Sequence, residues 1–134
     1  MNQNEIRKEL RAKAMEASKH AYSPYSQAKV GSAILTDSGK IYFGCNIENG
    51  SYGATVCAER VAILTAVANG EKRVKVVYVY TEEGWPPCGM CRQVIREFAD
   101  DDATIIIGDA KGAETVMTLE ELYPLSFRPD HLGV

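Results

Sequence analysis

Residues 74–98 read VKVVYVYTEEGWPPCGMCRQVIREF, and the organisation of the chain follows from this stretch. Val74 to Thr81 is a run of valine and tyrosine with the length and composition of a buried strand. The pair Pro86-Pro87 then leads toward the next element. A helix is predicted from Gly89 to Phe98, and Thr104 to Ile107 reads as a second buried strand. Between them the triple aspartate at 100–102 is expected to be a solvated turn. Further on, Glu114 to Thr118 reads as an edge strand and Leu119 to Leu122 as a short helical piece. The tail carries Pro124, Phe127 and Pro129.

Working back toward the start, Val56 to Ala68 is predicted helical and ends at Asn69-Gly70. A glycine-bearing loop, Asn49 to Gly53, precedes it. Val30, Ser32 and Ile34, then Ile41, Phe43, Cys45 and Ile47, alternate on either side of Asp37-Ser38-Gly39-Lys40. That is a hairpin with a four-residue turn. Ile6, Leu10, Ala14, Ala17 and Ala21 recur at helical spacing, which predicts a helix over 3–22 stopped by Ser23-Pro24-Tyr25-Ser26. Two antiparallel strands followed by alternating strand and helix give an α/β class: a three-layer α/β/α sandwich with a mixed sheet, one domain over 1–134. The pattern alone leaves strand order open.

The chain has 134 residues, 46% hydrophobic and 25% charged, the profile of one ordinary globular domain. Fifteen basic and eighteen acidic residues give a net charge of −3, which weighs against a general nucleic-acid or anionic-membrane binder. Val61-Ala62-Ile63-Leu64 is too short an apolar run to cross a bilayer. MNQNEIRKELR places charges where an export signal needs an apolar stretch, so the expected location is cytoplasmic. Four cysteines in that compartment stay reduced and point to metal binding or catalysis. The helix around Val61 to Ala68 has almost no polar face beyond Thr65. Either a partner subunit covers its outer side, or it lies wholly between two layers.

Chemistry concentrates at two predicted helix starts. Cys88-Gly89-Met90-Cys91 lets two sulfurs face one ion, and Cys57-Ala58-Glu59-Arg60 supplies a third sulfur. Catalytic zinc takes three protein ligands and keeps one position for water, so Cys57, Cys88 and Cys91 are the candidate metal ligands. Glu59, two residues from a ligand, is the candidate proton carrier. The pattern C-x-E…P-C-x-x-C is the zinc nucleobase deaminase signature with cysteine in first place. Asn46 and Glu48, two apart on a predicted strand, share a face and make a clamp for sugar hydroxyls. Three thiolates overbalance a zinc ion by one negative charge, and Arg60 is placed to draw that excess from the sulfurs.

These residues stand within a wider pattern: AYSPYS at 21–26, KVG at 29–31, GCNIEN at 44–49, TVCAER at 55–60, PCGMCRQ at 87–93, EF at 97–98 and LYPLSFRPDHL at 122–132. In this the chain resembles the small cytidine deaminase family, from about residue 5 to the end. The resemblance implies a homotetramer with one zinc per subunit and hydrolytic deamination of cytidine and deoxycytidine, zinc activating water and Glu59 shuttling protons. It matches Asn46 and Glu48 to the ribose-binding pair and the Ala58 backbone N–H to the pyrimidine 2-oxo contact. Tyr25, Tyr52 and Phe127 match aromatics that line the family's pocket, some from neighbouring subunits. Neither nucleic acid nor membrane is implied as a partner.

Three other readings compete. A structural four-cysteine zinc site would enlist Cys45, yet Cys45 precedes Asn46 on the predicted strand and points the other way. A thiol–disulfide oxidoreductase would use Trp85-Pro86-Pro87-Cys88-Gly89-Met90-Cys91 and leave Cys57 and Glu59 idle. A blasticidin-S-type deaminase shares PCGMCR, but the chain keeps the asparagine and glutamate of the cytidine pattern. Ala28 departs from the family, which carries phenylalanine there; Tyr25 or Met90 is expected to refill the space, or it stays open. His20 and His131 read as surface histidines.

Overall fold

The computed structural model describes residues 2–134. Helix α1 (Gln3–Ser18) starts at Asn2, whose side-chain oxygen accepts the Glu5 amide at 2.9 Å. It ends four residues short of the predicted Tyr22. The reason is tertiary: the Tyr22 amide donates to the Asn46 carbonyl at 3.0 Å, and its carbonyl accepts the Glu48 amide at 2.8 Å. A backbone recruited by a neighbouring segment cannot also close a helical turn.

Five strands form one sheet: β1 (Gly31–Thr36), β2 (Ile41–Cys45), β3 (Val74–Tyr80), β4 (Ala99–Gly108) and β5 (Glu114–Thr118), in the order β2-β1-β3-β4-β5. β3 and β4 run parallel, and the other neighbouring pairs are antiparallel. Parallel neighbours need a crossover. It is supplied by α3 (Gly89–Phe98), which lies on the same face as α2 (Ala58–Ala68) and α4 (Leu119–Leu122), while α1 covers the other face. The expected α/β/α layers and mixed sheet are thus both present.

The strands sort their side chains by period two. Ile34, Val77, Val79 and Ile105 join Ile63, Ile95 and Leu119 in the core beneath α2, α3 and α4. Ala33, Tyr78 and Ile106 point the other way, against Leu10 and Ala14 of α1. Two glycines bring the helices close. A Cβ on Gly31 would fall 1.8 Å from the Ala14 carbonyl oxygen, and one on Gly44 would fall 2.7 Å from the Val61 side chain and 2.8 Å from the Ala62 nitrogen. Only hydrogen fits there.

Asp100 to Asp102 lie inside β4 and not in a turn. From Val74 to Val76 β3 advances two residues, while its partner advances from Ala99 to Thr104, so the aspartates form a bulge. Arginines hold two of them: Arg96 and Arg128 reach Asp101 at 2.8 and 3.2 Å, and Arg73 pairs with Asp100. Local charge indicated a turn; pairing from distant segments keeps it in the strand.

Helix α2 begins at Ala58 and not Val56, because Val56 is bridged to Ile47 through both backbone groups at 2.9 Å. Ala62, Ile63 and Ala66 are buried, whereas Leu64 is 48% exposed and Thr65 and Ala68 face outward. A wholly internal helix is therefore ruled out for the single chain. No helix among the described residues is long and apolar enough to cross a membrane.

Candidate active site

Two helix starts meet at one end of the sheet. Cys57 is the N-cap of α2 and Cys88 the N-cap of α3, each just ahead of backbone amides that no helical carbonyl satisfies. Cys91 sits one turn inside α3 and donates its amide to the Cys88 sulfur at 3.4 Å. The Cys57 and Cys88 sulfurs are 3.6 Å apart, those of Cys88 and Cys91 3.3 Å, and all three lie within 4.8 Å of one another. Thiolates at ~2.3 Å around a tetrahedral zinc stand about 3.8 Å apart. The donor set fits.

Electrostatics at the cluster follow from shared protons. The Cys57 thiol is held down to about 5, first by its hydrogen bond with Cys91 and then by Arg60, against the opposing effect of burial. The same bond, with burial, pushes Cys91 well up. Arg60 places Nη2 at 3.4 Å from the Cys57 sulfur, the contact anticipated from their spacing. Glu59 is 3% exposed, and burial raises its carboxyl to about 7. Its Oε1 is buried without a hydrogen-bond partner. A buried carboxylate oxygen left unsatisfied is costly unless a bound group completes it.

A cavity of about 240 Å³ opens beside the cluster, and Asn46, Glu48, Cys57, Ala58, Glu59 and Cys88 line it together with Thr55, Thr81, Trp85 and Pro86. Asn46 and Glu48 reach it by a route other than the predicted one. β2 stops at Cys45, and residues 46–48 are clamped between Tyr22 and Val56 by backbone bridges. Asn46 accepts the Val30 amide at 2.9 Å and donates to the Ala28 carbonyl at 2.8 Å. Glu48 accepts the amides of Tyr25 and Ser26 at 3.0 and 3.1 Å and also the Ser26 hydroxyl. Those bonds hold its carboxyl below the usual carboxylate range, the Ser26 hydroxyl foremost.

The predicted aromatics lie elsewhere on the chain. Tyr25 and Tyr52 pack edge to face at 5.9 Å, both exposed, and Phe127 packs at a tilt against His131 at 5.5 Å. None of them lines the cavity. Cys45 is not part of the sulfur cluster. Ala28 borders an adjoining cleft of about 680 Å³ that shares Thr81 and Trp85 with the cavity, and neither Tyr25 nor Met90 fills it. Neither Thr81, read as a strand end, nor Trp85, named only in the oxidoreductase alternative, was expected at this cavity. The available signal was a lone tryptophan directly before two prolines and a ligand pair.

Residues 4–107 match the family model of the cytidine and deoxycytidylate deaminase zinc-binding region. The chain belongs to the cytidine and deoxycytidylate deaminase family. It is 40% identical over 126 residues to the cytidine deaminase of Sporosarcina psychrophila, covering 92% of this chain and 93% of that one. The crystal structure of cytidine deaminase from Burkholderia pseudomallei superposes with a TM-score of 0.87 at 36% identity, over 95% of this chain and all of that one. A blasticidin-S deaminase of Bacillus cereus is 40% identical over 108 residues, spanning 73% of this chain and 76% of its own. The cofactor of this deaminase domain is zinc, for which Cys57, Cys88 and Cys91 form a suitable cluster.

Proposed function

We propose that the chain deaminates cytidine and deoxycytidine hydrolytically to uridine and deoxyuridine with release of ammonia, as a cytoplasmic homotetramer of single-domain subunits. The observation that carries this reading is the unpartnered, buried Oε1 of Glu59 beside three converging sulfurs. Zinc, when bound, supplies water with a pKa lowered toward about 7. Glu59 would take one proton from that water and deliver it to ring N3, then carry the second, from the hydroxyl now on C4, to the departing 4-amino group. The water oxygen joins C4 and the C4–N bond breaks, so one water is consumed for each ammonia released. Arg60, donating to the Cys57 sulfur, would draw charge from it and so keep a bound zinc electrophilic.

Substrate contacts follow from unused hydrogen-bonding capacity. The Asn46 amide spends one donor and one acceptor site on the backbone at 28 and 30, which leaves a donor and a lone pair. The Glu48 carboxylate accepts three bonds of about four possible. The remainder is suited to sugar hydroxyls. Ala58, first residue of α2, offers its backbone N–H to the 2-oxo group. Tyr25, Tyr52 and Phe127, outside the single-chain cavity, are assigned to pockets completed across subunit contacts, with Phe127 the donor from a neighbour. The exposed Leu64, with Phe43 and Ile47, supports such contacts.

An ultraviolet assay of zinc-loaded protein against cytidine, deoxycytidine, cytosine, CMP and blasticidin S tests the reading. The two nucleosides should be turned over. Turnover of blasticidin S with cytidine untouched would reassign the substrate; no turnover of any would reject the activity.

A further inference from the structure

Trp85 stands between two spaces. On one side is the cavity that holds Glu59 and the cysteines, and on the other the larger cleft bordered by Ala28 and Lys29. Thr81 and Trp85 are the two residues common to both linings. Thr81 is buried, and its hydroxyl accepts the amides of Gly84 at 2.8 Å and Trp85 at 2.7 Å, which fixes the turn that carries the indole. Pro86 and Pro87 stiffen the next two positions. The indole is thus held by its backbone on both sides, while the residue is 50% exposed and free to meet a ligand.

We propose that Trp85 is the partition that sets which pyrimidine nucleosides the site admits, a specificity-determining residue that stacks on or abuts the bound nucleoside and closes the way into the neighbouring cleft. The proposal rests on the deaminase reading of this cavity. A cavity of about 240 Å³ is small for a ligand site, whose usual range begins near ~300 Å³. A substituent that outgrows it must enter the space behind the indole. Removing the ring joins the two volumes; a smaller ring in its place keeps them apart.

The test compares zinc-loaded wild type, Trp85→Ala and Trp85→Phe on cytidine and on cytidines with successively larger substituents at ring carbon 5. For the bulkiest analogue, kcat/KM relative to cytidine should rise by ~10-fold or more in Trp85→Ala and stay near wild type in Trp85→Phe. An unchanged ratio in Trp85→Ala that still turns over cytidine overturns the proposal.

Because Trp85 is the sole tryptophan, wild-type emission gives a second measurement that needs no variant. Uridine titrated into the zinc-loaded protein should change that emission saturably, with the half-point at which uridine inhibits cytidine turnover. Silent emission in an enzyme that uridine inhibits would sink the role of Trp85 alone. A wild type without cytidine turnover would remove the deaminase reading and the proposal with it.

Discussion

Glu59 and Arg60 are adjacent in sequence and opposite in task. Replacing Glu59 by Gln keeps the volume and removes the proton carrier. Zinc content and fold should persist while kcat falls by at least about 10²–10⁴-fold. If Glu59→Gln retains a tenth of wild-type turnover, the role is misassigned. Arg60→Gln removes the donor to the Cys57 sulfur. Zinc affinity or activity should drop about 10- to 100-fold, measured by competition with a chelator and by kcat. Both residues were legible because their spacing from Cys57 along a helix is fixed by covalent geometry. Asn46 and Glu48 were legible by type but not by mode of presentation. Backbone bridges to Tyr22 and Val56 end the strand before them, and such bridges come from residues distant in sequence.

At the scale of elements, α2 carries the sharpest expectations. Its buried face was readable from composition, and so was the excess of apolar residues on its outer face. Light scattering should show a tetramer, and Leu64→Glu should yield smaller species with reduced activity. An active monomer at assay concentration would refute the assembly. Helix α1 gives a stability test. In Gly31→Ala the new methyl would meet the Ala14 carbonyl at 1.8 Å, so the helix must lift from β1. Overpacking of this severity costs about 3 kcal/mol or more, seen as a Tm lower by roughly 10 °C in calorimetry. The aspartate bulge in β4 was the element least legible in advance. Three consecutive acids suggest a solvated turn; Asp100 and Asp102 do stay exposed, but the arginines at 73, 96 and 128 tie Asp100 and Asp101 down within the strand.

For the molecule as a whole, the metal is the decisive variable. Purified protein should hold about one zinc per chain, with three sulfurs near ~2.3 Å in X-ray absorption. Chelation should abolish turnover and lower the Tm, and restored zinc should recover both. A fourth sulfur in the spectrum, or full activity without metal, would contradict the assignment. Layer order and sheet class were readable from element succession. The strand order was not, since it depends on which edge each connection crosses.

The sulfurs of Cys57 and Cys88, 3.6 Å apart, are separated by 31 residues of chain. That separation imposes an order in time. During synthesis at about 5–20 residues per second, the second helix start emerges seconds after the first. Cys88 and Cys91 alone offer a metal two sulfurs; the third arrives once β3 has docked beside β1 and carried the loop after it into place. The complete three-sulfur site therefore exists only once the sheet has closed. Refolding from denaturant should proceed at the same rate with zinc or with chelator present, with recovery of activity as a later, zinc-dependent phase.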